Sequence, residues 1–278
     1  MRWFCLVMLI GFTACRRTAP DASSSEVGMR LRIAERQWDQ RGKNGLKPVE
    51  KTLEAVYGVE PDHPEVLWQL ARLKIVQGLL ESDRRAALYS YAEARALALH
   101  CLDAQPAFLQ RRVELGWEPA LELVSAEHLP CAAYGALAWA RWLEVHGGGA
   151  GEIDLDTIDL LVSATTRSGA ERERRVAVWA QALVMALRPD WRGRDLPQAR
   201  ALLERAIRVA PEDLVRRADL VFLVAIPLED DALTTLQIDR ILASDSTNPE
   251  DQSARERVAA YLAALEPEAG VQGERVDP

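Results

Sequence analysis

The side chains best suited to chemistry in this 278-residue chain are four cysteines and four histidines: Cys5, Cys15, Cys101, Cys131, His63, His100, His128 and His146. Two of each lie close in sequence. His100 adjoins Cys101, and His128 stands three residues before Cys131 in "HLPC". Two thiolates and two imidazoles make a complete tetrahedral zinc set. Adjacent residues on one helix project about 100° apart, however, which is poor geometry for a single ion. A Cys101–Cys131 disulfide therefore ranks first, free buried thiols second and zinc last. No catalytic constellation is expected. The chain has no zinc-protease helix motif, no Gly-x-Ser-x-Gly and no phosphate-cradling glycine loop. "HGGGAG" lacks the Lys-Ser/Thr of a phosphate loop and reads as a linker. Neither a cofactor nor a metal is called for.

The stronger candidate for recognition is aromatic. Tyr134, Trp139 and Trp142 fall in one nearly all-apolar segment, with Arg141 among them. Such rings bury large areas in any helical core, so packing competes with a role as the wall of a ligand pore or partner groove. Trp139 and Trp142 are neighbours on a helix surface, whereas Tyr134 lies well round the cylinder. Trp38, Trp68, Trp117, Trp179 and Trp191 read as packing anchors. The pairs Arg111–Arg112 and Arg216–Arg217 could offset an anionic ligand, although solvated surface is the default for both. With 34 basic against 42 acidic residues the net charge is −8. That excludes a basic stripe for nucleic acid. Runs such as "AERERR" read as solvated helix surface.

The N-terminus follows a different logic. Arg2 precedes an apolar run from Trp3 to Phe12, and small residues Thr13 and Ala14 precede Cys15. This is the layout of a secretory signal, too short to remain as a membrane span. "FTAC" resembles the lipobox of bacterial lipoproteins, with Phe12 where leucine is commoner. The resemblance implies cleavage after residue 14 and lipidation of Cys15. Residues 15–27 would then be a flexible tether. Loss of Arg2 leaves 33 basic against 42 acidic residues, a mature charge of −9. Arg16, rather than an aspartate, after the cysteine leans toward the outer membrane. Export also favours pairing of the two spare cysteines.

The elements that must position these residues are helices throughout. The chain is rich in Ala, Leu, Arg and Glu and poor in alternating β-branched runs. Punctuation by Pro and Gly predicts helices at 27–41, 46–58, 64–80, 84–104, 107–125, 130–146, 154–167, 169–187, 196–209, 212–226, 231–243 and 252–265. Ser253 with Glu256 reads as a capping box for the last. Residues 28–266 form the expected helical domain, and 267–278 a loose tail.

Three segments end alike: "LKPVEKTLEAVYGVEP" at Pro61, "YAEARALALHCLDAQP" at Pro106 and "LPQARALLERAIRVAP" at Pro211. Counting back five, eight, twelve and fifteen residues gives Val56, Leu53, Val49 and Leu46, then Cys101, Ala98, Ala94 and Tyr91, then Ala206, Leu203, Ala199 and Leu196. All are small, apolar or aromatic, and the offsets share one helical face. The spacing resembles the second helix of a tetratricopeptide repeat. The expected fold is therefore all-α, a tetratricopeptide-like array of helical hairpins forming an irregular solenoid.

Four stretches carry a narrower resemblance: "PEVLWQLAR" with "AALYSYAEARALALHCL", "LPCAAYGALAWARWLEVHGG", "RPDWRGRDLPQARALLERAI", and "LQIDRILASD" with "NPEDQSARERVAAYLAAL". They resemble the T components of TRAP (tripartite ATP-independent periplasmic) transporters, which are helical lipoproteins. Arg192-Gly193-Arg194-Asp195 departs from that family's Gly–Gly–Asp turn. The resemblance implies a non-enzymatic lipoprotein anchored to the cell envelope and facing the periplasm. It also implies homo-oligomerisation and cooperation with a periplasmic solute-binding protein. The competing reading is an envelope assembly adaptor, such as a pilotin or outer-membrane biogenesis lipoprotein. A hydrolase with an unrecognised helical site is the third.

Overall fold

The computed structural model describes residues 22–147 and 154–265. Cys15, the signal segment and the expected tail lie outside the described residues. Within them the chain is all-helical, without strands. In order the helices are α1 (Ala22–Asp39), α2 (Arg41–Asn44), α3 (Lys47–Tyr57), α4 (Pro64–Leu80), α5 (Arg84–Asp103), α6 (Pro106–Leu115), α7 (Trp117–Leu121), α8 (Leu129–His146), α9 (Leu155–Ser168), α10 (Glu171–Leu187), α11 (Leu196–Val209), α12 (Leu214–Leu220), α13 (Asp231–Leu242) and α14 (Pro249–Leu265). None is long and apolar enough to cross a membrane.

Proline at the first turn starts α3, α4, α6, α8 and α11, where its missing N–H costs nothing. Asp83, Asp195, Asp213 and Asp230 each accept an N-terminal backbone N–H of the helix that follows.

Four expectations need correction. The stretch expected as a loose tether runs into α1, which starts at Ala22 and buries Val27 and Leu31, four residues apart on one face. The single helix expected over 107–125 breaks at Gly116, whose φ of 87° ends α6 and opens α7. The helix expected over 212–226 stops at Leu220 and continues as a wider π-turn over Val221–Ala225. The capping box at Ser253 does not form. The last helix starts earlier, at Pro249, and Ser253 Oγ instead donates to the Leu79 carbonyl, 2.7 Å away.

Ten of the twelve offset residues are buried, and Leu46 and Leu196 are half-buried. Their small size sets helix spacing. A Cβ on Gly135 of α8 would sit 3.1 Å from Ala98 Cβ on α5. A Cβ on Gly78 of α4 would lie 2.5 Å from the Tyr91 ring, so only glycine fits there. Cys101 and Cys131 form a disulfide across the α5–α8 contact, with Cα atoms 6.1 Å apart.

Three apolar cores result. Helix α4 serves two of them. Val66, Leu70, Leu73 and Val76 face α1 and α3, while Leu67, Trp68, Ala71 and Ile75 face the central core around α8. The third core joins α12, α13 and α14. The chain then returns on itself, because α14 packs against α4. Arg41 of α2 pairs with Glu250 of α14, and Gly42 leaves no room for a Cβ beside Thr247.

Candidate ligand cavity

Where the first two cores meet the starts of α12 and α14, the helices leave a cavity of about 320 Å³. Each contributes residues at helical spacing. Helix α4 supplies Arg72, Ile75, Val76 and Leu79, α8 Tyr134 and Leu137, and α10 Val176 and Trp179. Val215 and Arg216 come from α12, Trp38 and Arg41 from the N-terminal helices, and Asn248, Glu250 and Asp251 from the approach to α14 and its first turn. Ala210, Glu212 and Asp213 complete the wall. The lining is a small-molecule type, with apolar walls and a few convergent polar groups. Among the described residues it holds no serine, cysteine, histidine or lysine.

Guanidinium groups lie on indoles around it. Arg72 sits over Trp38 at 3.8 Å and Arg41 over the same ring at 4.7 Å. Arg172 covers Trp68 at 4.4 Å, and Trp68 stacks on Tyr134 with centroids 5.6 Å apart. Arg216 lies 5.0 Å from the Trp179 ring. Each lining arginine is also ion-paired: Arg41 with Glu250, Arg72 with Glu35 at 2.7 Å, and Arg216 with Asp213 at 2.9 Å. Burial pushes the Glu35 carboxyl up, but Arg72, Arg172 and Arg41 together outweigh it and hold the group below the usual range. Asp213 goes the other way. Burial raises it more than Arg216 lowers it, and Asp251 and Asp219 add to the rise. Three lining residues keep an unsatisfied polar atom: Arg72 Nε and Arg216 Nε have no hydrogen-bond acceptor, and Glu250 Oε2 has no donor.

Behind Trp179 lies a sealed ionic network. Fully buried Arg141 donates to both oxygens of Asp219, at 2.8 and 2.6 Å, and to Glu144 at 2.6 Å. The Trp179 indole N–H donates to Asp219 Oδ2 at 2.7 Å. Burial alone would depress the Arg141 guanidinium, yet Asp219 and Glu144 raise it well above its ordinary value. Glu144 is held low by Arg141 and Arg257 against its own burial.

The aromatic cluster read from α8 is therefore divided. Tyr134 lines the cavity. Arg141 lies in the sealed network. Trp139 donates its N–H to Asp154 at 3.0 Å and packs edge-on to Trp117. Trp142 stacks on His146 at 4.2 Å. The disulfide uses both thiols that zinc would need, while His100 pairs with Asp62 and His128 with Ser125. Trp191, expected as an anchor, is 71% exposed on the short turn before α11. Arg216 and Arg217, expected at the surface, are both buried. Sequence reading passed over Arg72 and Glu250 and took Trp38 and Trp179 as packing anchors. The one sequence signal for this wall was the recurrence of Arg with Trp across separate helices.

No protein-family model matches this chain, and no curated protein matches it significantly.

Proposed function

We propose that this chain is a non-enzymatic lipoprotein of the cell envelope that holds a small solute in its central cavity. It is tethered through Cys15 with its helical body facing the periplasm. In this reading it acts as a tetratricopeptide-like accessory of a TRAP-type transporter, in contact with a periplasmic solute-binding protein. The observation that carries the reading is the cavity itself: aromatic and aliphatic walls, guanidinium groups held on indoles, and no nucleophile or general base of the serine, cysteine, histidine or lysine type. The repeat offsets at Pro61, Pro106 and Pro211 and the "FTAC" signal support the architecture and the tether.

Two measurements test it. The protein purified from native membranes carries a small molecule detectable by native mass spectrometry, and Val176→Trp, which fills the cavity, abolishes that adduct. Cys15→Ser releases the protein into the soluble periplasmic fraction; continued membrane association removes the tether. The assembly-adaptor reading is favoured by one feature, the exposed apolar residues Leu109, Val113 and Leu115 on α6. Co-purification of secretion or pilus components, rather than a solute-binding protein, decides for it.

A further inference from the structure

We infer that the cavity is built for an amphipathic zwitterion, a small molecule with an apolar body, one ammonium and one carboxylate, as in an apolar α-amino acid. This rests on the solute-binding reading above and specifies its ligand.

Charge balance excludes the simpler alternatives. Three arginines line the cavity, Arg41, Arg72 and Arg216, against four carboxylates, Glu212, Asp213, Glu250 and Asp251. Every one of the three guanidinium groups already has a carboxylate partner. A ligand bringing only a negative charge would add a fifth anion to that set. A ligand bringing only a positive charge would leave the spare Arg72 donor unmet.

The unsatisfied atoms specify the chemistry. Arg72 Nε and Arg216 Nε are donors without an acceptor, and Glu250 Oε2 is an acceptor without a donor; of these, Arg72 and Glu250 share one end of the cavity. Both residues are about nine-tenths buried. A buried polar group left unpaired is costly, so such groups carry a reason. Both belong to the Trp38 end of the cavity. Arg72 lies over that ring, and Glu250 is bonded to Arg41, which lies over it too. A carboxylate satisfies Arg72 Nε and an ammonium Glu250 Oε2. Of the other three carboxylates, Asp251 is occupied by the Leu214 N–H, Ser246 and Asn248, Asp213 by the Arg216 backbone N–H and guanidinium, and Glu212 is exposed. The apolar body then lies along Ile75, Val76, Leu137 and Val176. The size agrees, because about 320 Å³ is at the small end of ligand pockets, which run from roughly 300 to 1,000 Å³.

The test is calorimetric titration of the full-length lipidated protein in detergent with three probes: L-phenylalanine, 3-phenylpropionate, which lacks the ammonium, and 2-phenylethylamine, which lacks the carboxylate. Phenylalanine binds, and each truncated probe binds at least about tenfold more weakly, as expected when a buried partner is left unpaired. Glu250→Gln weakens phenylalanine by about tenfold or more and leaves 3-phenylpropionate within about threefold, since only the ammonium contact is lost. Arg72→Lys, which keeps the charge but removes Nε, gives the mirror result: 3-phenylpropionate weakens and 2-phenylethylamine does not. It also covers the case in which Glu250→Gln fails to fold. Equal binding of 3-phenylpropionate and phenylalanine overturns the zwitterion assignment. So does an absence of binding by all three probes when the native protein still carries a cavity adduct, in which case the solute-binding reading survives. Absence of both overturns the two together.

Discussion

The Trp179 indole separates two regions where arginine meets carboxylate and aromatic ring, and they differ in what their polar groups adjoin. Behind the ring, Arg141 and Asp219 are closed off from water, and both Asp219 oxygens are taken by Arg141, with the indole N–H added to one of them. In front of it, Arg216, Arg72 and Glu250 line open volume and leave capacity unspent at three atoms. Arg141 Nε is unmet as well, but it is fully buried; in front, the unmet groups belong to a cavity wall, and one of them is a carboxylate oxygen. The sealed region joins α8, α10 and α12, and so fixes three walls of the cavity.

Substitutions should separate the two regions, beginning with the largest effect. Asp219→Ala leaves buried Arg141 with Glu144 alone as its carboxylate partner and strands the Trp179 N–H; it is expected to cost about 3–5 kcal/mol by denaturant unfolding. The double change Arg141→Met with Asp219→Leu should recover most of that loss, because a buried ion pair is replaceable by apolar groups of similar volume. If the double variant is as unstable as the single, the network is more than a space-filling pair. Replacing both Cys101 and Cys131 by alanine opens a link 30 residues apart in sequence and should lower stability by about 3–4 kcal/mol on the chain-entropy account. Gly78→Ala drives a methyl into the Tyr91 ring and should cost about 1–3 kcal/mol by denaturant unfolding. Arg216→Met, on the cavity side, loses the hydrogen bond to the Ala206 carbonyl at 3.2 Å and the pair with part-exposed Asp213, and should cost about 2 kcal/mol. A cost as large as that of Asp219→Ala would erase the distinction between the regions.

The smallest expected effect is on pH. Glu35 has a folded value below its ordinary 4.5. A depressed carboxyl contributes stability that is complete above the unfolded value and is lost as pH falls through the folded one. The midpoint of denaturation should therefore drop as pH falls below about 4.5, and Glu35→Gln should flatten that slope. Asp213 has a raised value, so its contribution has the opposite sign. It opposes folding once ionised, and Asp213→Asn, which keeps a side-chain oxygen for the Arg216 N–H, should be neutral or slightly stabilising at pH 7.

Much of the fold was legible in sequence because its determinants are local. Pro64 marks the start of α4, and the offsets of Ala94, Ala98 and Cys101 mark one face. Gly116 went unread as a break because a glycine announces a positive φ only once the flanking packing demands it. The candidate site was harder to read. Tyr134 was identified as a wall residue, but Trp139 and Trp142 next to it serve other contacts, since on a helix buried nearly all round every ring finds a neighbour and periodicity cannot rank them.

By itself, then, the amino-acid sequence determined the helices, their starts and most of their ends, through capping, proline placement and side-chain size acting over a few residues. Only the tertiary structure decided that Arg41 meets Glu250 across 209 positions, that Arg216 is buried while Trp191 is exposed, and that seven helices leave a cavity between them. Those outcomes depend on which faces remain after the neighbouring helices have packed. That is a property of the whole arrangement of helices, and no local pattern encodes it.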